Sequence, residues 1–149
     1  MIEELITFYS ENNPSIGFSL EKPFYDFRIY GNKGRLIQII DNIIINSIYW
    51  LKEHRKSHPE FKPKVYFETY DETLVIWDNG IGIDKTVESN LFQPFITTKP
   101  RGVGRGLGLY IVAQMLDVLN SEIILLPERN SHGQRFKFAI ILKGAVKNA

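Results

Sequence analysis

The chain of 149 residues contains no cysteine, which excludes disulfides and thiolate metal ligands and fits a reducing compartment. It has no uninterrupted apolar stretch of about 18 residues, so no segment is expected to span a bilayer. Charge of one sign is also missing. Eighteen Lys and Arg stand against 17 Asp and Glu, a formal net charge of +1, which argues neither for nor against nucleic acid. The opening, MIEELITFYSENN, carries acids where a secretory leader would carry lysines before an apolar block. No repeat, low-complexity tract or linker divides the sequence. These absences point to a cytoplasmic domain, whether free or the cytoplasmic part of a membrane-anchored chain.

What is present is the composition of one soluble domain of ordinary size, 44% hydrophobic and 23% charged. Its most informative stretch is Leu36 to Leu51, LIQIIDNIIINSIYWL, where Asn42 and Asn46 sit in a run of Ile, Leu and aromatic residues. In a helix that spacing stacks both carboxamides on one face. Asparagines set so deep in an apolar helix need partners, either internal hydrogen bonds or a ligand rich in donors and acceptors.

In chain order, Ile2, Leu5, Ile6, Phe8 and Tyr9 predict a short amphipathic helix over residues 2 to 11, ended by Asn12-Asn13-Pro14-Ser15. Ile16–Glu21 and Phe24–Tyr30 read as strands, with a turn at Gly31-Asn32 before a helix from Lys33 to Lys56. A polar loop, Ser57 to Pro63, leads to two strands, Val65–Tyr70 and Thr73–Asp78, joined at Asp71-Glu72 as a hairpin. Residues 83 to 105 read as loop with one short helix near Thr86–Leu91, and Gly106–Leu119 as a helix. Ser121–Leu126 and Gln134–Leu142 close the pattern as strands, and 143–149 reads as a tail.

Two further stretches carry chemistry. Asp78-Asn79-Gly80-Ile81-Gly82 puts a carboxylate at the end of an apolar strand with two glycines behind it. A carboxylate there can accept hydrogen bonds from an amine such as the adenine N6 group, and glycine lets backbone approach a flat ring. Gly102, Gly104, Gly106 and Gly108 alternate into a predicted helix start, the setting that offers backbone N–H groups and the positive dipole end to an anion. No acid occurs from Ser89 through Leu116, while Lys99, Arg101 and Arg105 are basic. That balance suits a polyphosphate.

In this order the motifs resemble those of the GHKL superfamily of ATP-binding domains, and most closely the catalytic domain of bacterial sensor histidine kinases. The N box corresponds to Gln38–Ser47, the G1 box to Asp78–Gly82, the F box to Leu91–Phe95 and the G2 box to Gly104–Leu109. The resemblance extends from about Leu36 to Leu142. It implies a Bergerat-type two-layer α/β sandwich, with a mixed, mostly antiparallel sheet packed under three main helices. It implies that Asn46, assisted by Asn42, holds Mg²⁺ through side-chain oxygen, which suits an ion that keeps waters and bridges substrate phosphates. Asp78 would recognise adenine, and Gly80 and Gly82 would admit the ring. Phe92 and Phe95 would anchor the base of a lid bearing Thr98. Lys99, Arg101 and Arg105 would meet phosphates, and Gly104, Gly106, Leu107 and Gly108 would supply backbone contacts and hinge freedom.

Two departures stand out. Tyr49 occupies the place where many sensor kinases have lysine, shifting phosphate charge to the lid, and the loop around Val103 and Arg105 is longer than the commonest form.

The hydrolases of the superfamily carry a glutamate where this chain has Asn42, which cannot act as a general base at neutral pH. Asp41 lies about 100° away around the helix and is not expected to substitute. The same absence argues against the anti-sigma-factor serine kinases. His54, His58 and His132 read as surface histidines, with none set in the His-acid context of a phosphoacceptor. The expected partners are therefore ATP, a separate dimerisation and histidine-phosphotransfer domain and, indirectly, a response regulator, with no nucleic acid and no direct membrane contact. Two other readings remain open: a non-catalytic nucleotide-sensing module and an ATP hydrolase.

Overall fold

The apolar positions of IEELITFYSEN recur at helical spacing, and in the computed structural model this segment is helix α1, Ile2–Asn12. The structure describes residues 2–22, 28–29, 33–100, 106–143 and 146–147. Glu3 and Glu4 lie in the first turn of α1, where they complement the helix dipole, and Ile2, Leu5 and Tyr9 are buried. The next helix, α2 (Lys33–Ser57), follows strands β1 (Gly17–Lys22) and β2 (Arg28–Ile29). It buries Leu36, Ile39, Ile40, Ile43, Ile44, Ser47 and Leu51 and ends on His54, Arg55 and Lys56. Each fully buried isoleucine contributes about 1.5–3 kcal/mol, against a helix-propensity cost of about 0.7 kcal/mol at most. Packing outweighs the β preference of this Ile-rich segment.

Strands β3 (Lys64–Tyr70) and β4 (Thr73–Asp78) form the expected hairpin, with Tyr70 opposite Thr73. Asp71 takes φ 49° at the turn, a left-handed conformation that aspartate tolerates. After a short 3₁₀ turn at Glu88–Asn90 come α3 (Gly108–Val118), β5 (Glu122–Leu125), β6 (Lys137–Ile141) and β7 (Val146–Lys147). The main sheet has the order β1-β3-β4-β6-β5. β1 pairs parallel with β3, and the other neighbours pair antiparallel. The parallel pair is bridged by α2, since parallel neighbours need a crossover.

One continuous core joins α1, α2 and α3 to the inward residues of the sheet, among them Val65, Phe67, Leu74, Ile76, Phe138 and Ile140. This is the expected two-layer α/β sandwich. Three boundaries differ from the sequence reading. The segment taken for a tail contains β7, which pairs antiparallel with β2. Of the expected strand Phe24–Tyr30, only Arg28–Ile29 falls within the described residues, as β2. The last long strand begins at Lys137 because Asn130 to Phe136 folds into a turn with a bridge between Arg129 and Arg135. Helix α3 starts at Gly108 because Gly106, at φ 69°, lies in the left-handed region.

Candidate functional site

Between α2, the segment after β4 and residues 91–99 and 106–109 lies a cavity of about 720 Å³. Helix α2 supplies one wall through Asn42, Ile43, Asn46, Ser47, Trp50, Glu53 and His54. These positions recur at three- and four-residue intervals and so form one stripe, about 18 Å long at 1.5 Å per residue. Ile83, Val87, Leu91 and Phe138 supply apolar surface opposite. Three large hydrophobics that remain exposed, Ile45 (56%), Trp50 (37%) and Ile81 (43%), all line it. Apolar surface left open around a polar-dotted cavity marks a ligand site.

Asp78 lies in this cavity at the end of β4, half-buried, as expected. Its carboxylate accepts a hydrogen bond from the Gly80 backbone N–H at 2.9 Å. Burial pushes its pKa above the ordinary carboxylate range, and the Gly80 N–H and the Ser47 hydroxyl pull it partly back. Asn79 points elsewhere. Its side chain accepts from the Lys64 N–H (2.8 Å) and donates to the Lys62 carbonyl (2.9 Å), fixing the start of β3.

The glycines of this loop are required by space. A Cβ on Gly80 would stand 3.0 Å from the Asp78 carboxylate, and one on Gly82 (φ 91°) would stand 2.8 Å from the Asn130 amide. The latter contact shows residues that the sequence reading missed. Asn130 and Gln134 both donate to the Ile81 carbonyl, at 3.0 and 2.8 Å, and the Ile83 N–H donates to the Arg135 carbonyl at 2.9 Å. Asn130 in turn accepts from the backbone of His132 and Gln134. The Asn-Ser-His-Gly sequence signals a turn, but nothing local tells that it braces a loop 49 residues earlier. Nearby, Glu88 pairs with Arg129 at 2.9 Å and Arg135 at 3.1 Å, which ties the other end of the same loop and holds the Glu88 carboxyl below its usual range.

Lys99 donates from Nζ to Asn46 Oδ1 at 2.8 Å and lies 4.5 Å from the Tyr49 ring centroid. Burial lowers its pKa. Among the described residues lining the cavity Lys99 is the one Lys or Arg, beside the acids Glu53, Asp78 and Asp84. Thr98, Gly106, Leu107 and Gly108 line the cavity. A Cβ on Gly106 would stand 2.5 Å from the Ile96 N, and one on Gly108 would stand 3.5 Å from the Asn46 amide. Gly106 thus lets residues 95–96 lie directly on the approach to α3. Arg101, Gly104 and Arg105 lie outside the described residues.

Two expectations are corrected. Phe92 packs edge-on against Phe138, ring centroids 6.3 Å apart, but Phe95 is 74% exposed at φ 65°. Anchoring of this segment rests on Phe92 alone of the two. His54 is not a plain surface residue either. It lines the cavity, stacks on His58 at 4.2 Å and meets Phe61 edge-on at 4.8 Å, and burial lowers its pKa.

Asp41 is turned away, as its position on the helix implies. It accepts a 2.5 Å hydrogen bond from the Tyr9 hydroxyl of α1, and burial together with this carboxylate drives the Tyr9 pKa far upward. No described helix is long and apolar enough to cross a membrane.

The carboxamide oxygens of Asn42 and Asn46, both in the cavity wall, are of a kind that suits a hard cation. Carboxamide oxygen is a normal ligand type for Mg²⁺, and Asn46 Oδ1 already accepts from an ammonium within the cavity.

Comparison with known proteins gives a consistent result. The family described as histidine kinase-, DNA gyrase B-, and HSP90-like ATPase matches residues 31–144. The autoinducer 1 sensor kinase/phosphatase LuxN of Vibrio harveyi is 30% identical over 109 residues, covering 72% of this chain and 12% of that protein. The signal transduction histidine-protein kinase AtoS of Escherichia coli K12 is 32% identical over 81 residues, 54% of this chain and 13% of that protein. The chain therefore spans a small part of the length of these relatives. Among solved structures, a mycobacterial sensor histidine kinase, MprB, superposes with a TM-score of 0.72 at 20% identity, over 99% of this chain and 93% of that one. The nucleotide-free catalytic domain of histidine kinase ThkA gives 0.69 at 25% identity, over 95% and 90% of the two chains.

Proposed function

The chain belongs to the histidine kinase-, DNA gyrase B- and HSP90-like ATPase family, and on that premise we propose that it binds Mg-ATP in the cavity along α2 and donates the γ-phosphoryl to a histidine on a separate domain. The observation that carries this reading is the polarity of one cavity. It has a half-buried carboxylate, Asp78, at the end of β4, and a cation, Lys99, held on Asn46 beside the N-terminus of α3.

Each of these groups has its chemistry. Asp78 accepts from adenine N6, and Gly80 and Gly82 let the ring lie close. Trp50 and Ile81 cover the base with apolar surface that is otherwise exposed to water. Asn46 and Asn42 would hold Mg²⁺, which when bound neutralises charge on the phosphate oxygens. Lys99 and the first backbone N–H groups of α3 add positive potential on the protein's side. Transfer breaks the bond between Pγ and its bridging oxygen and forms a Pγ–N bond to the acceptor imidazole, leaving ADP. The protein's part is positioning and charge stabilisation.

Hydrolysis is the weaker reading, because the only carboxylate adjacent to Asn42 in sequence, Asp41, is engaged by Tyr9. The kinase is expected to act on a partner helical domain bearing the acceptor histidine, itself read by a response regulator, and in the cytoplasm. The test supplies that domain from a related sensor kinase with ATP labelled at the γ position. Acid-labile label on its histidine supports the proposal. Label released only as free phosphate turns the reading to a hydrolase, and calorimetric ATP binding with neither outcome turns it to a nucleotide-sensing module.

A further inference from the structure

Lys99 approaches α2 from 53 residues away. Its ammonium rests on two groups of that helix, the Asn46 carboxamide oxygen at 2.8 Å and the Tyr49 ring face at 4.5 Å. Neither group is charged, and among the described residues no carboxylate pairs with it. A carboxylate partner would cancel the ammonium's field; a carboxamide and a ring orient it and leave its charge free for an incoming anion. Trp50 meets the Tyr49 ring edge-on at 4.9 Å and 85°. The Lys99 N–H donates to Thr97 Oγ1 at 3.1 Å, which shapes the turn that delivers the side chain.

We propose that Tyr49 is a positioning residue that holds Lys99 at the Asn46 end of the cavity, so that a cation from the 96–100 segment, rather than one on α2, meets the terminal phosphates. This rests on the ATP-binding reading. Tyr49 acts through Lys99 and makes no phosphate contact of its own. Its effect is therefore confined to nucleotides with β and γ phosphates, and vanishes when Lys99 is absent.

The test is calorimetric titration of wild type, Tyr49→Phe, Tyr49→Leu, Lys99→Ala and the double variant Tyr49→Leu/Lys99→Ala with ATP and AMP. Tyr49→Phe keeps the ring face and is expected to bind ATP within twofold of wild type. Tyr49→Leu is expected to weaken ATP about threefold to thirtyfold, the range of a partly desolvated cation–π contact, while leaving AMP unchanged. The double variant is expected to match Lys99→Ala. Wild-type ATP affinity in Tyr49→Leu overturns the proposal, as does equal weakening of ATP and AMP, or a double variant that loses the sum of both effects. Failure of the wild type to bind either nucleotide instead overturns the ATP-binding reading itself and takes this proposal with it.

Discussion

At the scale of single residues, Asp78 carries two opposed demands. The cavity needs it ionised to accept from an amine, while burial raises its pKa. Asp78→Asn is expected to weaken ATP binding about tenfold to a hundredfold, the loss of a charge-assisted hydrogen bond, measurable by calorimetry. The same substitution should raise the melting temperature near neutral pH. A carboxyl whose folded pKa lies above its unfolded value favours the fold below the unfolded pKa and loses that contribution as pH rises through the folded one. For the wild type the sign of ligand binding is the reverse: ATP affinity should fall as pH drops through the raised pKa and the carboxylate protonates. A flat affinity from neutral to acid pH would refute the adenine assignment. Asn46→Ala, in turn, should bind nucleotide with the same affinity with and without Mg²⁺, whereas wild type gains from the ion; an equal gain in both would remove Asn46 from the metal.

At the scale of elements, the site depends on how α1 and the approach to α3 are set. Tyr9→Phe deletes the hydroxyl that binds Asp41 and should lower stability by about 0.5–1.5 kcal/mol in a denaturant titration, with ATP affinity nearly unchanged because Asp41 faces away from the cavity. Gly106→Ala forces a Cβ into the Ile96 backbone at positive φ. It should cost about 1–2 kcal/mol, whereas Gly108→Ala, where a Cβ meets the Asn46 amide at an ordinary contact distance of 3.5 Å, should cost far less by the same titration. The elements themselves were largely legible in the sequence, because Ile-rich α2, the Asp71-Glu72 hairpin and the breakers around Pro14 are local signals. Illegible were the features decided at long range. The turn that cuts the last long strand short exists to hold Ile81 through Asn130 and Gln134. Strand β7 forms only because β2 is there to pair with it. In the site, Asp78 and Asn46 could be read from motif order, but the seat of Lys99 on Tyr49 required two segments brought together in space.

At the scale of the whole molecule, a five-stranded sheet and the cavity along α2 serve a chain that spans only 12% of a relative such as LuxN. Supplied with ATP alone, the chain should turn it over slowly, less than about one per minute against the 1–100 per second of protein kinases, in a phosphate-release assay. Fast release would restore a hydrolytic base to the site. The parallel pairing of β1 with β3 has a separate consequence for how the molecule is made. Gly17 pairs with Lys64, and all of α2 lies between them, so the strands cannot join until this long segment has been threaded across the helical layer. Non-local closure of this kind slows folding. The wall that carries Asn42, Asn46 and His54 is therefore expected to become protected only once β1 and β3 have paired, which hydrogen exchange during refolding checks.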